Sequence, residues 1–249
     1  RSPLFAPEAN ASIETLALDL LHCANLGVYK IYCQHVLHEA IRCDLWRTGA
    51  RTTEERFELN ARNIHNDLQQ WYRDAKAADP TDNIYEIGNL TASMLGSSAQ
   101  PHLATKGAET GTLLCYCADL AGKHVRELTR GRSLHELGKA LVDVREIWRT
   151  SPRRLPAHAQ ARTEALVARA AALRPVAGVP LLPKWHMFLH IPERSLRAGN
   201  PQHYTTFMDE HWNDTLGDVC ASCHRLTWAR GVLTNFRWAK RRVEQRCGS

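Results

Sequence analysis

The chain has 249 residues, 44% of them apolar, with a formal net charge of +6 and eight cysteines. That length and apolar fraction can supply a real core. No run approaches the ~18 apolar residues of a membrane-spanning helix, and eight scattered cysteines are too sparse for a disulfide scaffold. The mild basicity is compatible with nucleic acid without demanding it.

The first residues, Arg1-Ser2-Pro3-Leu4-Phe5, lack an apolar run of signal-peptide length. An intracellular setting is therefore expected, nuclear if the source is eukaryotic, with no membrane partner. The Arg-Ser start, the Gly-Ser end and the missing initiator Met read as added ends, so upstream sequence is expected to be lacking.

The pattern predicts a mainly α protein. Leu16, Leu20, Leu21, Leu26, Val28, Ile31, Val36, Leu37 and Ile41 recur at helical spacing, predicting one long helix over 13–47 with a candidate break at Gly27. Thr52-Thr53-Glu54-Glu55 reads as a capping box, and the helix it opens runs to Asp79-Pro80. Gly96 to Pro101 reads as a loop, followed by a small-residue helix over 107–123. Ser133-Leu134-His135-Glu136 reads as a second capping box, opening a helix to about 149 that Ser151-Pro152 ends. Residues 157–173 read as a partly exposed Ala/Arg helix, and Val179–Leu182 as a brief strand. Helices are expected over 208–225 and 228–245. The coarse division is an entry segment (1–48), a helical body (50–175) and a His- and Trp-rich terminal segment (181–249).

Several groups could carry chemistry. Asp19 and His22 lie three apart on a helix, where a carboxylate can orient an imidazole or share a metal with it. The plain alternative is a polar pair. His35, His38 and Glu39 share a face and could be a zinc set, but not in the His-Glu-x-x-His order, and are read as a polar helix face. His186 and His190 have helical metal-pair spacing but no third ligand in sequence. Asp209 and Glu210 suit a helix start and could also ligate Mg²⁺ or Mn²⁺. Cys220-Ala221-Ser222-Cys223-His224 matches the string of c-type haem attachment. It is expected mid-helix without an export signal, so two core thiols are the simpler reading, zinc the alternative, and haem is not expected. Arg237, Lys240, Arg241 and Arg242 form a basic patch, either a solvated helix end or a phosphate-contacting strip.

Read together, three of these groups carry a resemblance. Asp19-Leu20-Leu21-His22 with Leu26-Gly27, Pro183-Lys184-Trp185-His186 through His190, and Phe207-Met208-Asp209-Glu210-His211 after a Gly199-Asn200-Pro201 turn resemble, in order and spacing, eukaryotic DDE-type transposases. The CACTA and Kyakuja–Dileera–Zisupton types are the nearest. Leu90–Met94 and Lys106–Thr110, with the terminal block, are similar to uncharacterised open reading frames of protist genomes, dinoflagellates especially. The matched blocks span somewhat under half of the chain.

The resemblance implies a helical insertion plus the final helices of a ribonuclease-H-like core. It implies Mg²⁺ or Mn²⁺, DNA as partner, and phosphoryl transfer between two metal ions. Glu210 would be the terminal metal ligand, with Asp209 as the competing assignment. Asp19 and His22 would be the supporting pair, His186 and His190 would brace the site, and Lys184 would sit against nucleic acid. The family's first two aspartates should precede Asp19, yet residues 1–18 contain no Asp. The chain is therefore not expected to cut DNA alone. A helical nucleic-acid- or protein-binding module and a structural zinc protein remain the alternatives, and oligomeric state stays open.

Overall fold

A nine-residue π-helix, Leu21–Tyr29, runs straight into α1, Lys30–Arg42. The structure, a computed structural model, describes residues 18–206, 219–223, 231 and 234. The long helix read from the sequence is thus continuous through Gly27, which lies inside the wider π turns and does not break the rod. It stops at Arg42, five residues earlier than expected, because Cys43 to Trp46 fold into turns in which Asp44 adopts φ 47°.

The next helix follows its sequence signal closely. The Thr52 hydroxyl accepts the Glu55 N–H at 3.1 Å and Glu55 reaches back to the Arg51 N–H at 2.9 Å, so α2 (Thr53–Ala78) begins capped. Phe57, Ala61, Ile64, Leu68 and Tyr72 are its buried face. Thr52→Ala is expected to cost ~1 kcal/mol, lowering the melting temperature by ~2–4 °C in a scanning-calorimetry trace; no change would show that the cap carries no stability.

A four-residue helix, α3 (Ala92–Leu95), leads into the 96–101 loop, closed by an isolated antiparallel bridge between Gly96 and Pro101. Helix α4 (Gly107–Lys123) occupies the centre and is buried nearly all round, as small residues such as Gly111, Ala118 and Ala121 permit. Helix α5 (Gly131–Thr150) starts two residues before the Ser133 signal, and no side chain caps it. Gly131 sets that start: a Cβ there would lie 2.3 Å from the Val125 carbonyl oxygen, so only glycine lets the chain turn this tightly into the helix.

Helix α6 (Ala157–Ala177) runs four residues past its expected end, holding Pro175 in its last turn and ending on Gly178 at φ 75°. The strand expected at 179–182 is an extended linker with Val179 buried, and no strand occurs among the described residues. Helix α7 (Pro183–Ala198) and a 3₁₀ turn (Pro201–His203) follow.

The helices pack as a closed circuit: α4 on α5, α5 on α6, α6 on α7, α7 on the π-helix, and the π-helix back on α4. Phe188 of α7 sits inside it, its ring met edge-on by Tyr29 (6.1 Å between centroids), Trp148 (6.0 Å) and Trp185 (6.1 Å). Mainly α architecture is therefore established for the described residues.

The chain divides into two units, 1–204 and 205–249. Of the second, residues 219–222 are helical, with Cys220 in that helix and Cys223 at the bend after it, both half-buried. No described helix is long and apolar enough to cross a membrane.

Candidate functional site around Asp19, His22 and Lys184

The π-helix begins on an Asp–His pair. His22 Nδ1 lies 2.5 Å from Asp19 Oδ2, and the same oxygen accepts the His22 backbone N–H at 2.9 Å. The carboxylate is therefore held in one rotamer and fixes the orientation of the ring, as a carboxylate does behind a working imidazole. Asp19 is mostly shielded, with its side chain 20% exposed, while the His22 side chain is 55% exposed.

Lys184 reaches this segment from α7. Its Nζ donates to the Leu26 carbonyl at 2.8 Å across 158 residues of sequence. Gly27 makes the approach possible. A Cβ there would lie 2.9 Å from both the His22 carbonyl oxygen and Lys184 Cδ, so any larger residue would push α7 off the π-helix. The Asp-x-x-His and Lys-x-His strings thus fold onto one another.

Other charged groups surround them. Lys30 Nζ donates to the Thr105 carbonyl at 3.4 Å; burial and then the nearby Lys184 charge lower its ammonium's affinity for its proton. Burial raises the Cys23 thiol, Asp19 adds to this and Lys184 opposes it, so Cys23 stays protonated between them. Burial also raises the Tyr204 phenol, with Ser195 acting against this and Asp19 reinforcing it. Beneath, buried Asn25 donates from Nδ2 to the Gly107 carbonyl at 2.8 Å, tying the π-helix to the start of α4. Two ammonium groups, a fixed imidazole and a carboxylate therefore share one edge of the circuit.

The remaining sequence candidates fall as follows. The His186 and His190 rings are 4.7 Å apart and meet edge to face, and His190 Nδ1 lies 3.3 Å from Glu193. They form a pair, as their spacing implies. Glu39 is committed elsewhere: it takes Arg42 through both oxygens and the Thr129 N–H at 3.0 Å. His38 Nε2 is bonded to the Leu95 carbonyl at 2.7 Å. The His35/His38/Glu39 group therefore joins α1 to the end of α3 and to the turn before α5. Asp209, Glu210, Arg237, Lys240, Arg241 and Arg242 lie outside the described residues, as does His224.

No group of three His, Cys, Asp or Glu side chains able to hold a metal occurs among the described residues. Asp19/His22 and His186/His190 supply pairs only. The sequence pattern did not reveal Lys30, Asn25 or Tyr204 as neighbours of the site. The only available signal was Gly27, a glycine inside an apolar helical pattern, which marks close backbone approach. Comparison of the chain with protein-family models, curated proteins and solved structures finds no match.

Proposed function

We propose that this chain is the C-terminal, insertion-bearing part of a transposase-like protein acting on DNA, with Asp19, His22 and Lys184 belonging to its nucleic-acid-facing site. The reading rests on the ordered strings described above, and one observation carries it. Lys184 packs on the Leu26–Gly27 turn that follows the fixed Asp19–His22 pair, although 158 residues separate Lys184 from Leu26. Such a juxtaposition is expected if both strings serve one site. Lys30 and Lys184 supply cationic donors for a phosphate backbone. Asp19 fixes the orientation of the His22 ring. The resemblance further implies Mg²⁺ or Mn²⁺, which would supply charge stabilisation at phosphoryl oxygens.

The test is fluorescence anisotropy of a labelled DNA duplex, titrated with and without Mn²⁺. Binding is expected to tighten with Mn²⁺. Asp19→Asn is expected to remove that gain, weakening metal affinity by roughly 10–100-fold while leaving thermal melting near wild type. DNA binding that ignores Mn²⁺ but falls steeply with salt would replace this reading with a binding module. A chain that ignores DNA at low salt would sink both.

A further inference from the structure

We propose that a second site, a cleft between α1, the first turn of α2 and the 96–101 loop, binds a small phosphate-bearing ligand. The cleft encloses about 330 Å³, within the range of small-molecule pockets. Arg42 lines it from α1, Thr53 and Arg56 from α2, and Ser98 from the loop, over an apolar floor that includes Ile41 and Pro101.

The lining is rich in donors, because Glu39, the carboxylate that lines it, and the nearby Asp44 and Glu55 are already committed. Glu39 accepts from Arg42 Nε and Nη2 and from the Thr129 N–H. That pairing does not use Arg42 Nη1. Asp44, whose carboxyl the Arg56 charge helps to hold low after its hydrogen bonds, accepts the Thr48 hydroxyl and Asn60 Nδ2, each at 2.8 Å. Glu55 turns back to the Arg51 N–H at 2.9 Å. The groups left to face a ligand are the Arg56 guanidinium, the outer edge of Arg42 and the Thr53 and Ser98 hydroxyls. They come from three separate elements. A phosphate, with three terminal oxygens and nearly two negative charges, can accept from all three at once, whereas a carboxylate brings one charge and two oxygens.

The walls are also set in advance. Besides the Gly96–Pro101 bridge, the Ser97 N–H donates to the Gln100 carbonyl at 3.2 Å and Gln34 Nε2 to the Pro101 carbonyl at 3.2 Å. A pre-formed cleft avoids the ordering cost of binding.

Two imidazoles line the same cleft and give the site a pH signature. Burial holds His35 below the ordinary range. Glu39 and the Ala177 backbone oppose this, and Arg130 and Arg42 reinforce it. Burial does the same to His38, with the Leu95 carbonyl opposing and His102 reinforcing, and the Phe57 ring lies 5.6 Å away. Both are neutral at pH 8. A bound dianion favours their protonated forms, so binding at pH 8 takes up protons.

Isothermal titration calorimetry on the whole chain tests this, using adenosine monophosphate, inorganic phosphate, adenosine and acetate as probes. The two phosphates are expected to bind, and adenosine and acetate are not. Equal affinity for the phosphates would mark a simple phosphate subsite, and tighter adenosine monophosphate a nucleotide ligand; both support the proposal. Arg56→Gln is expected to weaken binding ~10-fold or more with an unchanged melting temperature, since Arg56 is exposed. No binding at millimolar ligand, an Arg56→Gln affinity equal to wild type, or a loss caused by Lys184→Met but not by Arg56→Gln would each overturn it. The last result would assign the ligand to the Asp19–Lys184 edge.

Discussion

Phe188→Ala is expected to destabilise the chain by ~3–5 kcal/mol, the cost of a large cavity in a packed core. The ring is fully buried and touched edge-on by Tyr29, Trp148 and Trp185, which come from the π-helix, α5 and α7. Its removal takes away the common partner of all three, and their indole and phenol groups restrict how they can collapse inward. For a chain of this length the loss corresponds to a drop of ~6–20 °C in melting temperature. Phe188→Leu keeps most of the volume and should recover at least half of it. A Phe188→Ala melt within ~2 °C of wild type would show that the aromatic cluster is not a stabilising core.

Gly138→Ala is the second large effect, arising from crowding. A Cβ at this position would lie 2.1 Å from the Tyr32 hydroxyl oxygen and 2.9 Å from both Tyr32 Cζ and Ala118 Cβ. Tyr32 is fully buried and donates its hydroxyl to the Leu134 carbonyl at 3.0 Å, so it has no free direction in which to retreat. Overpacking of this kind costs ~1–3 kcal/mol, and the lost hydrogen bond adds ~1 kcal/mol. A double-mutant cycle separates the two. In a Tyr32→Phe background the added methyl no longer meets the hydroxyl, so its cost should shrink by ~1 kcal/mol or more. Equal costs in both backgrounds would remove the hydroxyl from the explanation.

Helices whose information is local were legible in the sequence. The α2 cap is visible as Thr52 and Glu55, and α4 begins and ends where its small-residue run does. The misreadings arise where tertiary contact overrides local signals. Ser133-x-x-Glu136 has the form of a capping box. Yet Gly131, pressed against the Val125 carbonyl, starts α5 earlier and places Ser133 inside the first turn. Val179–Leu182 looks like a strand because it is short and apolar, but no strand among the described residues is there to pair with it. Gly27 reads as a breaker by propensity. Its role is set instead by Lys184, a residue far along the chain. The Asp19–His22 pairing was legible from its spacing of three. Its juxtaposition with Lys184 was carried only by the resemblance, since no local pattern encodes which distant helix covers a π turn.

The closed circuit of helices also has a consequence in time. The π-helix is among the first parts of the described fold to be made, while α7, which covers it and supplies Lys184, comes 158 residues later. At ~5–20 residues per second on a ribosome, roughly 8–30 s separate the synthesis of the two halves of this edge. Throughout that interval Leu21, Val28 and Tyr29, all buried in the finished fold, have no α7 to cover them. The candidate site is therefore completed late, and a nascent chain stalled before Lys184 would present a sticky helix face to chaperones in place of a covered one.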